Sequence, residues 1–260
     1  MREDIQSGTG EWLFEKAELK RWKSSSESSV LWLHGIPGSG KSKLVAKVID
    51  HLKGSAGILT GQLAYFYCLR DVAQDERSRP QEAIRSVIRQ LCFTGNILKP
   101  KAALAYNQKK KAAKANNSAV AEKLTWTECI TLFMSLLQDT TTFIVIDAID
   151  ELKDEERWIF YETLSGIINR TERAVVRVFL SSRDDGDIVR TLSKYTNIYI
   201  SATDNQRDVE LFVHREVERA ISGRRILRGE PLSDKLKADI ISTLTKGAQG
   251  MCVSLFTTPT

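Results

Sequence analysis

Eight consecutive residues, Gly35-Ile36-Pro37-Gly38-Ser39-Gly40-Lys41-Ser42, set glycines, a lysine and a hydroxyl in the spacing GxxxxGK[ST]. Each residue type answers a need of phosphate binding. Glycines let the backbone turn so that successive N–H groups converge on phosphate oxygens. A helix starting near Lys41 would add its positive dipole end. The Lys41 ammonium can extend to β- and γ-phosphates, and the Ser42 hydroxyl can join a Mg²⁺ shell. The competing reading is a glycine-rich loop that only turns the chain. The flanks decide against it: VLWLH (30–34) reads as a buried strand and 41–52 as a helix, which is the context the motif requires.

A second group lies downstream. Phe143-Ile144-Val145-Ile146-Asp147 is an apolar run ending in a carboxylate. A buried strand would carry that carboxylate to the carboxyl edge of its sheet, where open α/β folds bind ligands. Asp147 is thus the candidate Walker B residue, holding Mg²⁺ directly or through water. Alone it would be read as a cap or turn; paired with the phosphate loop it reads as a metal ligand. Ala148 leaves room beside the phosphates, and Asp150 and Glu151 are both candidates to orient or deprotonate an attacking water. A third group, Val178-Phe179-Leu180-Ser181-Ser182-Arg183, ends in hydroxyls and an arginine. Arg183 could sense a γ-phosphate if this strand lies between the other two. An ion pair with Asp184 or Asp185 competes with that reading on even terms.

These groups need elements to hold them. Glu11–Trp22 has helical spacing of Trp12, Leu19 and Trp22, and serines from Ser24 to Ser29 form a polar linker. Lys41–Leu52, Pro80–Leu91 and Trp126–Leu137 read as helices. Val30–His34, Gln62–Cys68, Thr142–Asp147, Val175–Ser181 and Asn197–Ser201 are the strand candidates. Alternation of this kind predicts an α/β fold with a five-stranded parallel sheet covered on both faces. Residues 94–123 are poor in large apolar side chains and rich in Ala, Lys and Asn, and read as an insertion of weak or variable structure. From Asp204 onward the pattern is helical only, over Val209–Ile221 and Leu232–Thr245. The division is therefore 1–29 for an N-terminal helix and linker, 30–203 for the nucleotide-binding core, and 204–260 for a partial helical subdomain.

Bulk properties fit this picture. With 260 residues and 42% hydrophobic content, the chain can bury one α/β core plus an appendage. No apolar run is long enough to span a bilayer and the start has no signal-peptide character, so a cytoplasmic protein without a membrane partner is expected. Cys68, Cys92, Cys129 and Cys252 form no CxxC pair and suggest reduced thiols without a zinc site. The net charge of +5 is mild, and the lysines at 109, 110, 111 and 114 have no aromatic neighbours suited to base stacking. No nucleic-acid partner is expected.

The ordered set GTGEWLF (8–14), LWLHGIPGSGKSKL (31–44), YFYC (65–68), FIVIDAIDEL (143–152) and FLSSRDDGDI (179–188) resembles the NACHT domains of STAND-class signalling NTPases. It is similar in particular to those of fungal NLR-like proteins and to nephrocystin-type N-terminal domains. The resemblance implies a P-loop NTPase core, here with strand order 5-1-4-3-2, ATP or GTP as ligand, and Mg²⁺. Its more specific part is Asp147-Ala148-Ile149-Asp150-Glu151, with a small residue after the aspartate and acids three and four places on. The AAA+ pattern would put Glu at 148; Ala148 stands there, which leaves the base open between Asp150 and Glu151. The resemblance further implies a switch, inactive with diphosphate and self-associating with triphosphate. A non-hydrolysing nucleotide-binding scaffold or interaction module is the alternative, and a nucleotide or small-molecule kinase fits less well for want of a substrate lid. Effector and repeat domains have no counterpart in these residues. The GAQGM stretch (247–251) and the tail after it predict an incomplete module, with apolar surface left open and marginal stability raised by Mg²⁺-nucleotide.

Overall fold

The computed structural model describes residues 8–54, 61–118, 120–137, 141–170, 174–223 and 233–248. Five strands form one parallel sheet: β1 (Ser29–His34), β2 (Gly61–Tyr67), β3 (Thr141–Asp147), β4 (Val176–Ser182) and β5 (Thr196–Tyr199). Their spatial order is β2-β3-β4-β1-β5, which is the expected 5-1-4-3-2 read from the other edge. Register aligns the strand ends. His34 lies opposite Ser182 and Tyr199, and Tyr67 opposite Asp147, so all five carboxyl ends share one edge.

The strands are apolar on both faces because helices cover both. Val30, Trp32, Ile144, Ile146, Val178 and Leu180 point into one cluster. That layer holds α4 (Pro80–Leu91), α6 (Trp126–Leu137), α7 (Arg157–Arg170) and α8 (Gly186–Leu192). Leu31, Leu33, Phe143, Val145, Phe179 and Ile198 point into the other. There the partners are α1 (Trp12–Glu15), α2 (Ala17–Ser24) and α3 (Lys41–Gly54). The period-two split of consecutive strand residues between two cores is what a sheet buried on both sides demands. Beyond β5, α9 (Gln206–Ser222) and α10 (Asp234–Ala248) share a smaller cluster of Val209, Val213, Val217, Ile241 and Ala248.

The structure departs from the sequence reading in four places. The single helix expected over Glu11–Trp22 is broken at Lys16, whose ψ of 130° is extended. The segment expected to be weakly structured contains a 16-residue helix, α5 (Pro100–Ala115), preceded by a two-residue hairpin pairing Phe93–Thr94 with Ile97–Leu98. Pro100 at the first turn and a run of Ala, Lys and Gln give that helix its propensity, while only Ala102 and Ala113 of it are buried. Helices α7 and α8 were not foreseen at all. Strand and helix ends elsewhere shift by up to three residues, as at the start of α9 and the end of α10. The GAQGM stretch begins inside α10, and its remainder and the tail lie outside the described residues.

Candidate functional site

The site assembles on the carboxyl edge, where β1, β4 and β3 lie side by side. The loop from Gly35 to Gly40 leaves β1 and enters α3 directly, with Lys43 and Leu44 N–H groups already bonded to the Gly40 carbonyl. Gly35 has φ +155°, and an added Cβ would come within 3.2 Å of the Ile200 Cβ, so only glycine fits where the chain after β5 crosses the loop. Ser39 is buried, and its carbonyl accepts from Asn205 Nδ2 at 3.3 Å, which ties the loop to the start of α9. The Lys41 ammonium donates to the carbonyls of Gly35 and Ile36, each at 2.7 Å. Burial pulls its pKa below the ordinary lysine value, against the opposing pull of Asp150.

Asp147 ends β3 and is 2% exposed. Its carboxylate accepts from the Ser181 hydroxyl, and the Ser42 hydroxyl lies near enough to help hold its charged form. Burial raises its pKa, and the two hydroxyls oppose that rise only in part. The Ser181 oxygen in turn accepts the Ala148 N–H at 2.9 Å. Ala148 sits at φ +55°, ψ +54°, a left-handed turn that re-aims the chain into the short 3₁₀ turn Ile149–Glu151. A buried carboxylate beside a hydroxyl at the start of α3 is a hard oxygen donor set, which suits Mg²⁺, and a cation there would offset the cost of burying the charge. Among the described residues no cluster of three or more His, Cys, Asp or Glu side chains forms a metal site of its own.

Asp150 and Glu151 meet Arg183. Arg183 Nε lies 3.1 Å from Asp150 Oδ2, and Nη2 lies 3.2 Å from Glu151 Oε1. The Arg183 N–H also donates to Asp150 Oδ1 at 3.1 Å. The acids expected to compete for this arginine are placed elsewhere. Asp184 pairs at 2.5 Å with His34, which stacks on Trp32, and Asp185 precedes α8. The arginine is thus ion-paired, and its partners are the two candidate bases.

The turn that carries those bases is held by residues the sequence reading missed. Arg157, 2% exposed, and Arg70 both donate to its carbonyls. Cys68, whose N–H donates to the Asp147 carbonyl, is buried, and its thiol is pushed well above the usual range by desolvation, with Asp147 adding to the rise. At the opposite end, the GTGEW segment is anchored by Asp208 of α9, which accepts the Gly10 N–H at 2.9 Å and Trp12 Nε1 at 3.0 Å. Lys47 of α3 reaches the Thr9 carbonyl and pairs with Glu11 at 2.6 Å. Gly10 has φ +69°, and a Cβ there would strike Leu44 at 2.7 Å.

Comparison with known proteins gives the geometry its kin. The family model described as "Nephrocystin 3, N-terminal" matches residues 8–183. The vegetative incompatibility protein HET-E-1 of Podospora anserina is 25% identical over 217 residues, covering 80% of this chain and 15% of that protein. The chain therefore spans a small part of that relative's length. The ORC2 protein of Aeropyrum pernix, solved as ADPNP–ADP complexes, aligns with a TM-score of 0.48 and 12% identity over 90% of this chain and 66% of its own. The ORC1 protein of the same organism, solved in complex with DNA, aligns at 0.47 and 14% over 90% and 64%. The expected lack of a nucleic-acid partner gains nothing from such likenesses. Among the described residues no helix is long and apolar enough to cross a membrane.

Proposed function

Because the chain belongs to the nephrocystin 3 N-terminal family, a NACHT-type P-loop NTPase domain of the STAND class, we propose that it binds a nucleoside triphosphate with Mg²⁺ and hydrolyses it slowly as a signalling switch. The observation that carries this is one convergence: Lys41 and Ser42, Asp147, Asp150 and Arg183 come from three adjacent strands to one edge. Gly35 to Ser42 form the phosphate cradle, with Lys41 leaving its own loop carbonyls for the β- and γ-oxygens. Ser42 and Asp147 would hold Mg²⁺, which would neutralise charge on those oxygens. Arg183 stabilises charge at the γ-phosphoryl group, and Asp150 or Glu151 takes a proton from the attacking water. The base is adenine or guanine. In this reading the domain works in the cytoplasm, self-associates in its triphosphate form, and residues 204–260 begin its helical subdomain.

A second reading, binding without turnover, is favoured by one observation. Both candidate bases are already engaged by Arg183. Phosphate release by the purified chain separates the two readings, with Lys41→Ala as the blank. Turnover above that blank, slowed by Asp150→Asn or Glu151→Gln with nucleotide binding intact, supports hydrolysis. Release no greater than the blank leaves a nucleotide-binding scaffold.

A further inference from the structure

The turn Ala148–Leu152 holds both candidate bases, yet it is a single 3₁₀ turn with few hydrogen bonds of its own. Within it, Glu151 N–H reaches the Ala148 carbonyl at 2.9 Å and Leu152 N–H the Ile149 carbonyl at 3.2 Å. Its outward carbonyls are those of Asp150 and Leu152, and each accepts from two guanidinium groups. Arg157 Nη2 lies 3.0 Å from the Asp150 oxygen and 3.1 Å from the Leu152 oxygen. Arg70 Nη2 lies 3.2 Å and 2.6 Å from the same two atoms. Two cations this close repel unless an anion lies between them, and Asp154 Oδ1 does, at 2.6 Å from Arg157 and 2.7 Å from Arg70. Arg157 is further neutralised by Asp187, whose two oxygens lie 2.9 Å and 2.8 Å from Nη1.

The two arginines differ in reach. Arg157 is buried and serves the main chain of the turn and the acids Asp154 and Asp187. Arg70 is half-exposed, and its own N–H donates to Glu151 Oε2 at 3.2 Å. It therefore fixes both the backbone of the turn and the side chain of one base. Glu151 is then held from two sides, Oε2 by Arg70 and Oε1 by Arg183. Arg70 follows β2, the edge strand farthest from the phosphate loop on that side of the sheet, and no sequence motif marks it. All three of its guanidinium contacts, to the two carbonyls and to Asp154 Oδ1, are made by Nη2, the far nitrogen of a rigid planar head, and a lysine ammonium ends one bond short of that position.

We propose that Arg70 is a positioning residue for hydrolysis: its guanidinium sets the backbone of the turn that aims Asp150 and Glu151, while its main-chain N–H on Glu151 is kept in any variant. The proposal rests on the hydrolytic reading of the site for its kinetic part only. It touches no phosphate, so its loss acts through the acids.

The test compares wild type, Arg70→Ala and Arg70→Lys, with nucleotide affinity, phosphate release and amide hydrogen exchange read on each. Arg70 is half-exposed, so the variants are expected to fold. In Arg70→Ala, kcat should fall roughly ten- to a hundredfold while KM and nucleotide affinity stay within about twofold. Arg70→Lys should not restore kcat. Exchange at 148–153 should quicken in both variants, with that of the phosphate loop 35–42 unchanged. Equal kcat in wild type and Arg70→Ala overturns the proposal, as does full rescue by lysine. Unchanged exchange at 148–153 overturns it as well, whether or not the chain hydrolyses nucleotide. If wild type shows no turnover but the turn loosens in Arg70→Ala, the hydrolytic reading falls and the positioning of the turn by Arg70 stands.

Discussion

At the carboxyl edge of the sheet, neighbouring strands and the start of α9 deliver side chains whose partners come from far along the chain: Ser181 to Asp147, Arg183 to Asp150, Asn205 to the Ser39 carbonyl. In α5, a helix of similar length to α3, only Ala102 and Ala113 are buried, and Leu104 and Tyr106 stand 60% and 56% exposed. Its ties to the body are few: Lys109 pairs with Glu128 at 2.8 Å, and Lys101 Nζ reaches the Ser135 carbonyl at 2.7 Å. The first region is held by tertiary packing and a network of polar contacts, the second by helix propensity with a thin seam of alanines. Substitutions should therefore be felt sharply in one and barely in the other.

The largest expected effect lies under the edge. Phe179, fully buried in β4, meets the Trp22 ring edge-on at 5.6 Å between centroids. Phe179→Ala should cost about 3–5 kcal/mol of unfolding free energy in a denaturant titration, because the cavity cannot close against a sheet packed on both faces. A loss under about 1 kcal/mol would erase the contrast with α5.

Asp147 should show function and stability pulling in opposite directions. Burial raises its pKa, so the folded chain holds this proton more tightly than the unfolded chain. The sign follows: the contribution is favourable below the unfolded carboxylate value near pH 4 and is lost as pH rises through the raised folded value. Asp147→Asn should leave the fold at least as stable at pH 7 and flatten the decline of stability above about pH 4. The same change should weaken Mg²⁺-dependent nucleotide binding by roughly tenfold or more, as loss of a metal-holding group does. Calorimetry across pH, with and without Mg²⁺-nucleotide, reads both effects. A variant that loses stability and keeps its Mg²⁺ dependence would break the assignment.

The smallest effect belongs to α5. Leu104→Ala should shift unfolding free energy by less than about 0.5 kcal/mol, because the side chain already faces solvent. A larger shift in the isolated chain would mean that α5 is packed more tightly than two buried alanines provide.

The same contrast explains what could be read from sequence. Strands β1 and β3 carry uninterrupted apolar runs and the run of β4 is broken only by Arg177, while Pro80 marks the start of α4 to the residue, so the sheet and half its cover were legible. The loop Gly35 to Gly40 between β1 and α3, and the place of Asp147 at the end of β3, were legible because spacing and flanks agree. Helix α5 was not, since an exposed helix has no apolar period to detect. Nor was α7, whose first turn pairs a buried Arg157 with a 60% exposed Trp158 and so inverts the usual amphipathic pattern. Arg183 was legible as a charged strand tip but its partners were not. Choosing Asp150 and Glu151 over Asp184 and Asp185 depends on how β3 and β4 register, with Ile146 opposite Leu180. Arg70 and Arg157 carry no local signal, because their task is defined only by where Asp150 and Leu152 turn their carbonyls.

The central claim is that Gly35 to Ser42 bind nucleotide phosphate through Lys41. Equilibrium titration of Mg²⁺ with ATP and GTP into wild type and Lys41→Ala tests it directly. One or both nucleotides should bind wild type, and Lys41→Ala should weaken that binding by about 1.5–3 kcal/mol, the worth of a charge-assisted contact. Equal affinity of the two proteins for triphosphate would contradict it.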